Sequence, residues 1–322
     1  FARRRALVRE LRRAFESRGF TEVETPMLQP KAGGAAAKPF VTHHDVLDQD
    51  LYLRIAPELY LKRLIVGGLD RVFEIGRNFR NEGVSTRHNP EFTMLEAYQA
   101  YANYEDIMDL TEAVVSESLA AALDGADCVF SGKSVPLARP WRRANLYDLL
   151  RESTGMDLRP MRDAAGLRAA ATKLGVSVRP EAGPWKILDR IFEEKVQPSL
   201  WAPTFVMDYP AGSAPLAKTR ADAPDIAERF ELFIAGLEVG NAYSEQNDPD
   251  EQRRRFEEQA RLRQAGDAEA QALDEDYLVA LEYGLPPCGG LGLGVDRLAM
   301  IAAGVESVRE VILFPAMKPE GA

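Results

Sequence analysis

Arg77-Asn78-Phe79-Arg80-Asn81-Glu82-Gly83, followed by Arg87-His88-Asn89-Pro90-Glu91-Phe92, is the most informative stretch of this chain. It reads as strand, polar loop, strand. In the second strand Phe92, Met94, Glu96 and Tyr98 fall on one face, because side chains alternate with period two. A carboxylate and a phenol among apolar side chains make an unusual core. With Arg80, Glu82 and His88 beside them, they suit a pocket for a charged, aromatic-containing ligand. A plain solvated face is the poorer reading, since it would leave Phe92, Met94 and Tyr98 in water.

Asn241, Tyr243 and Glu245 repeat the pattern on a second strand, with Glu231 and Glu238 upstream. Two carboxylates on adjacent strands near phosphates are reasonable hard-oxygen ligands for Mg²⁺, which binds through one or two carboxylates plus substrate phosphates. Strict alternation does not put Glu238 on the face of Asn241. A bulge or kink at Gly240 is needed, and glycine permits it. A third unit, Gly289-Gly290-Leu291-Gly292-Leu293-Gly294-Val295-Asp296-Arg297, superficially resembles a dinucleotide fingerprint. Its glycine spacing is wrong for that motif, and no opening strand of a βαβ unit precedes it. The glycines instead let a ligand lie flat against a strand, with Arg297 projecting toward it from the start of a helix.

These groups need a scaffold. Residues 2–18 read as a helix from the spacing of Leu7, Leu11 and Phe15, and a short apolar strand then runs into Pro26. Pro57 is expected in the first turn of a second helix. Strands are expected at 71–79 and 91–98, and a helix at 105–123 from Ile107, Leu110, Val114 and Leu119. Residues 140–200 read as an inserted helical subdomain, with Trp141, Trp185 and Trp201 in or beside it. Strands at 228–235 and 237–245, helices from Gln252 to Arg263 and from Asp274 to Tyr283, and a Gly-rich strand–helix unit at 289–302 complete the chain. Strands beside strands, with helices clustered elsewhere, predict an α+β fold: an antiparallel sheet flanked by helices.

The 322 residues are 46% apolar and 28% charged, with a net charge of −10, an ordinary water-soluble composition. Acidity disfavours general nucleic-acid binding, which draws on Lys and Arg, and it suits a small cationic substrate. No apolar run approaches the roughly 18 residues of a membrane span, and no leader pattern opens the chain. Cys128 and Cys288 lie too far apart for a metal motif, and both read as small buried hydrophobes in a reducing cytoplasm.

Three signatures occur in the order found in class II aminoacyl-tRNA synthetases. Gly19-Phe20-Thr21-Glu22-Val23-Glu24-Thr25-Pro26 resembles motif 1, whose proline sits at a dimer interface. Phe79-Arg80-Asn81-Glu82 through Phe92 resembles motif 2, and Gly292-Leu293-Gly294-Val295-Asp296-Arg297 resembles motif 3. The stretch from Gly33 to Tyr104 is more specific. Its Tyr52-Leu53-Arg54-Ile55-Ala56-Pro57-Glu58-Leu59-Tyr60-Leu61-Lys62-Arg63 and Arg87-His88-Asn89-Pro90-Glu91-Phe92-Thr93-Met94 are similar to the lysine-activating members. The resemblance covers nearly the whole chain, most weakly at 125–200.

The resemblance implies activation of L-lysine by ATP with Mg²⁺, transfer to the acceptor end of tRNA(Lys), a homodimer and a cytoplasmic location. It implies that Arg80 and Arg297 carry the catalysis. Arg80 would bind the α-phosphate and the lysine carboxylate, and Phe92 and Arg297 would sandwich the adenine. Glu82 would meet the adenine amino group and His88 the triphosphate tail. Glu231 and Glu238 would hold Mg²⁺. Glu58 and the Gly34 backbone would take the α-amine, with Asn241 near the carboxylate. Glu245, assisted by Tyr98, would pair with the ε-ammonium, and Tyr243 would line the side-chain pocket. On this reading Glu245 is uncompensated whenever a neutral isostere replaces lysine, which yields discrimination from a single ion pair.

Two departures stand out: Ala242-Tyr243 where members commonly have Gly-Phe, and Ala214 where they have Ser. A slightly altered pocket wall is expected from them. Such synthetases also carry an N-terminal OB-fold that reads the anticodon, and none is expected within these residues. That leaves rival acceptors: elongation factor P, or a lipid served by the soluble half of a membrane lysyl-lipid synthase. A further rival is an inactive adenylate-binding regulatory module. Gly292, Gly33-Gly34-Ala35 and Pro215-Leu216-Ala217-Lys218 argue against the factor-modifying paralogue. Intact Arg80, Glu82, Glu231, Glu238 and Arg297 argue against the inactive module.

Overall fold

A computed structural model describes residues 1–266 and 270–317. Its centre is an eight-stranded sheet whose spatial order is Thr21–Glu22, Arg71–Phe79, Glu91–Ala100, Cys288–Gly294, Leu237–Ser244, Arg229–Ile234, Thr204–Met207 and Arg142–Asn145. The inner pairings are antiparallel, and the two edge strands join parallel to their neighbours. The α+β expectation holds. The edge strand Arg142–Asn145 is a difference from the expected helical run: its polar Arg142-Arg143 start carries no apolar alternation, so only pairing with Thr204–Met207 reveals it.

One face of the sheet is apolar. Phe73, Leu95, Ala97, Leu232, Leu291 and Leu293 pack there against the helices Ala2–Glu16, Tyr104–Leu123 and Val295–Ala303. The first helix buries Leu7, Leu11, Ala14 and Phe15 and leaves Arg5, Arg9 and Arg13 exposed. Tyr104–Leu123 starts at a capping box: the Asn103 side chain accepts from the Glu105 and Asp106 amides, and Asp106 accepts from the Asn103 amide. It ends where Asp124 adopts a left-handed conformation. Pro57 is the N-cap of Glu58–Val66, one residue ahead of its expected place. The helices Leu146–Thr154, Ala164–Lys173 and Pro184–Lys195 form a second core with Val206 and Phe233. A third core joins Leu61, Ile65, Phe256, Tyr277 and Leu281 beneath the other end of the sheet.

The second face carries the polar side chains in rows set by strand register. Glu74, Glu96, Gly292, Asn241 and Glu231 are successive partners across five strands, and Val72, Tyr98, Gly290, Tyr243 and Arg229 form the next row. The register slips by one residue where Leu232 pairs Gly240 but Phe233 pairs Glu238. Val239 joins the apolar core, and a Cβ on Gly240 would stand 2.8 Å from Leu293 on the same side. Both residues of the bulge therefore face the core, which leaves Glu238 and Asn241 together on the polar face, as the glycine suggested.

Candidate active site

Two cavities lie side by side on the polar face, of about 220 Å³ and about 280 Å³. Arg80, Met94, Asn241 and Gly292 line both. The glycine strand makes the floor. A Cβ on Gly290 would stand 1.9 Å from Glu245 Oε1 and 2.6 Å from the Tyr98 ring, and one on Gly292 would stand 3.1 Å from the Met94 methyl. Any side chain at Gly290 would fill the cavity it floors.

The first cavity is a cradle walled by Glu82, His88, Phe92, Glu238, Arg297 and Arg80. The loop between strands is closed by hydrogen bonds from the Arg80 amide to Pro90 O (2.9 Å) and from the Asn81 amide to Lys38 O (2.7 Å). The Ser85 hydroxyl faces His88 Nδ1 at 3.0 Å, and Nε2 is 3.3 Å from Arg297 Nη2. Burial and the Arg297 charge hold His88 below its ordinary range, so it is a neutral imidazole near pH 7. Arg297 donates to Glu238 O at 2.7 Å and to Glu238 Oε2 at 3.0 Å. Its helix is fixed by Asp296, which accepts from the Thr93 amide at 2.8 Å and pairs with Arg4 of the first helix. Sequence reasoning missed that anchor, since nothing local marks Arg4 among so many arginines.

Arg80 stands at the wall between the cavities. Its guanidinium lies 5.1 Å above the Phe92 ring centroid, within cation–π range. Its buried Nε has no hydrogen-bond partner among the described residues. Burial pulls the guanidinium below its ordinary pKa without discharging it. A half-buried arginine that lines both cavities with its Nε unsatisfied is poised for an anion.

The second cavity, a slot, gathers Gly34, Glu58, Arg80, Tyr98, Asn241, Tyr243 and Glu245, the full set expected to hold an amino acid. Gly34 has φ of +87°, and a Cβ there would crowd Glu58 at 3.0 Å. Tyr243 donates its hydroxyl to Glu58 at 2.8 Å, so the tyrosine of the Ala242-Tyr243 departure orients a carboxylate besides lining the wall. Ala242 points into the apolar core, and Ala214 lines the slot.

Glu96 was read on the right face but given no role. It lines the slot and accepts the Tyr98 hydroxyl at 3.1 Å, so Tyr98 is turned toward Glu96. Burial, and then the nearby Glu58 charge, push its carboxyl up to about 8. Below that pH the empty slot carries a proton there, which an incoming cation would displace. Affinity for a cationic ligand is therefore expected to rise severalfold as pH climbs from about 6.5 to about 8, by up to about tenfold per unit. Ligand titrations across that range check it, and a slope that persists in Glu96→Gln would refute the assignment.

One expectation is corrected outright. Glu245 does not stand uncompensated in the empty slot. Lys62, fully buried, makes an ion pair with Glu245 and lies 2.5 Å from Glu58 Oε1. The i,i+4 spacing of Glu58 and Lys62 on one helix was a legible signal for half of this arrangement. The half that reaches Glu245 joins residues far apart in sequence.

Of the expected metal pair, one carboxylate reaches a cavity wall. Glu238 lines the cradle, but Glu231 lines neither cavity. Glu231 is paired with Arg229 and accepts the Tyr209 hydroxyl at 2.8 Å. Among the described residues no group of three or more His, Cys, Asp or Glu is arranged to hold a metal. Burial raises the Glu231 carboxyl, Arg229 opposes the shift and Glu238 adds to it, so the two carboxylates feel each other. This donor set fits a hard ion carried in with a triphosphate better than a pre-formed ion cage.

Comparison with known proteins adds independent information. A family described as tRNA synthetases class II (D, K and N) matches residues 1–318. The lysine–tRNA ligase of Carboxydothermus hydrogenoformans is 52% identical over 319 residues, covering 99% of this chain and 65% of its own length. That of Pelotomaculum thermopropionicum is 51% identical over 321 residues, covering 99% and 63%. That of Nostoc punctiforme is 52% identical over 322 residues, covering 100% and 57%. The chain thus spans less than two thirds of the length of these curated relatives.

Proposed function

The chain belongs to the class II tRNA synthetases (D, K and N), and from that membership we propose that it activates L-lysine with ATP to lysyl-adenylate and passes the lysyl group to tRNA(Lys). The observation that carries this reading is the Arg80 wall: one guanidinium lines both an acidic slot and a cradle floored by glycine. A lysine carboxylate from one side and the α-phosphate of ATP from the other would meet there. The carboxylate attacks the α-phosphorus and pyrophosphate leaves, with no protein nucleophile. Positioning and electrostatics supply the rate, as in other phosphoryl chemistry.

In this proposal Glu58 and the Gly34 backbone hold the α-amine, Asn241 sits beside the carboxylate, and Glu245 takes the ε-ammonium with Tyr98, Tyr243 and Glu96 around it. Phe92 and Arg297 embrace the adenine, Glu82 meets its amino group, and His88 meets the triphosphate tail. ATP arrives as its magnesium complex, which Glu238 would meet at the cradle wall, with the Glu231 charge behind it. The ion would offset phosphate charge. Copies of the chain would pair through Pro26 and the neighbouring sheet, where Met27, Leu28 and Val41 expose 44%, 47% and 58% of their surface. Sedimentation would report a dimer if so. No helix among the described residues is long and apolar enough to cross a membrane, in keeping with a cytoplasmic enzyme.

Lysine-dependent ATP–pyrophosphate exchange tests the first half, and a folded sample with no exchange would reject it. The acceptor is tested by offering labelled lysine to tRNA(Lys) and to elongation factor P side by side. The relatives' names favour the tRNA; charging of the factor alone would replace it. Gly290→Ala is expected to raise the KM for lysine by at least about tenfold, because the new methyl overlaps Glu245 and Tyr98. The KM for ATP should stay within about twofold. An unchanged lysine KM would show that the slot is not where lysine lies.

A further inference from the structure

Lys62 has no part in the reading above, yet it sits at the heart of the slot's charge. It projects from the helix Glu58–Val66 with no exposed surface. It touches Glu58 and Glu245, and the rings of Tyr98, Tyr243 and Tyr277 surround its ammonium at 5.9, 5.6 and 5.9 Å. Glu58 and Glu245 line the slot and Lys62 does not, so the ammonium stands behind the two carboxylates.

Resting on the lysine-slot reading, we propose that Lys62 is a positioning residue: a built-in ammonium that holds Glu58 and Glu245 in place and favours the charged form of Glu245 before the substrate's own ammonium arrives. Glu58, Glu96 and Glu245 are buried around one cavity, and like charges so placed take up protons unless a cation opposes them. The groups facing Glu245 and Lys62 come from every surrounding element. They are Glu58 on the same helix, Glu96 and Tyr98 on Glu91–Ala100, Tyr243 on Leu237–Ser244, Tyr277 on Glu275–Gly284 and Cys288 on the glycine strand. Burial, Glu58 and Glu96 raise the Glu245 carboxyl well above its ordinary range, and Lys62 is the neighbour that pulls it back down. Lys62 itself is held charged: burial disfavours the ammonium, but Glu245 and Glu58 outweigh it. Apart from the Lys62 ion pair, neither Glu245 oxygen has a hydrogen-bond partner among the described residues, so acceptor capacity remains for a second ammonium. Substrate would thus enter a slot already charged at its far end.

The test compares wild type with Lys62→Met and Lys62→Gln in ATP–pyrophosphate exchange at about pH 7 and about pH 9. Each variant is expected to raise the KM for lysine at least about tenfold over wild type at the lower pH, with the ratio narrowing at the higher pH as Glu245 loses its proton. The KM for ATP should move by less than about twofold. A lysine KM that is unchanged, lowered, or raised equally at both pH values overturns the proposal; a lowered one would mean that Lys62 competes with substrate. A second readout needs no Lys62 variant, in case those fail to fold. Infrared difference spectra of wild type against Glu245→Gln, without lysine near pH 7, should lose a carboxylate stretch. Loss of a protonated-carboxyl stretch instead overturns the proposal. Wild type that shows no lysine-dependent exchange would count against the functional reading and not against Lys62.

Discussion

Arg80→Ala is expected to lower lysine-dependent ATP–pyrophosphate exchange by about a thousandfold or more, within the range seen when a pre-aimed cationic donor is removed from developing charge. The size follows from where the side chain stands. It is shared by the two cavities, lies against the Phe92 face, and keeps a buried Nε without a partner among the described residues. A fork that is already oriented loses little on meeting the attacking carboxylate and the α-phosphate, and most of its interaction is realised as charge builds between them. Arg80→Lys should recover only part of the rate, since a single ammonium cannot bridge both anions in a fixed plane. The exchange rate at saturating lysine and ATP is the quantity to measure, with a thermal melt beside it. Arg80 has no ion pair among the described residues, so stability should change little. Exchange within about tenfold of wild type would remove Arg80 from its place in the reaction.

The second large effect is on selection of the amino acid. Glu245→Gln is expected to raise the KM for lysine by about a hundredfold, about 2.7 kcal/mol, the scale of a charge-assisted hydrogen bond in a buried site. The KM for ATP should stay near its wild-type value, because Glu245 lines the slot and not the cradle. Glutamine keeps the shape, so the change isolates charge. It also leaves Lys62 with Glu58 as its carboxylate partner. Some stability will be lost, and added lysine should not restore it as fully as in wild type. Selectivity against a neutral isostere such as norleucine should fall in parallel, because the variant offers neither ligand a full counter-charge. Lysine and norleucine compared in the exchange assay give both numbers. An unchanged lysine response would refute the role of Glu245 at the ε-ammonium.

Much of the site could be read from local pattern. Period-two alternation placed Phe92, Met94, Glu96 and Tyr98 on one face, and the structure lines both cavities with that row. Gly240 announced a bulge, and the register slips beside it. The helix Tyr104–Leu123 follows from its apolar spacing. Each of these depends on residues within a few positions of one another, where backbone geometry alone fixes the outcome.

What the sequence by itself determined is therefore which side chains share a face: the strand rows, the helix stripes and the glycine floor, since each is set by the repeat of its own element. Tertiary structure alone decided which charges meet. It turned Lys62 to Glu245, bound Glu231 to Tyr209 and to Arg229 at the slot wall, and anchored the helix of Arg297 through Arg4 and Asp296. A buried charge must find a partner, and several in this chain could have served. The order of strands and the packing of helices on them place one within reach, and no local spacing encodes that choice.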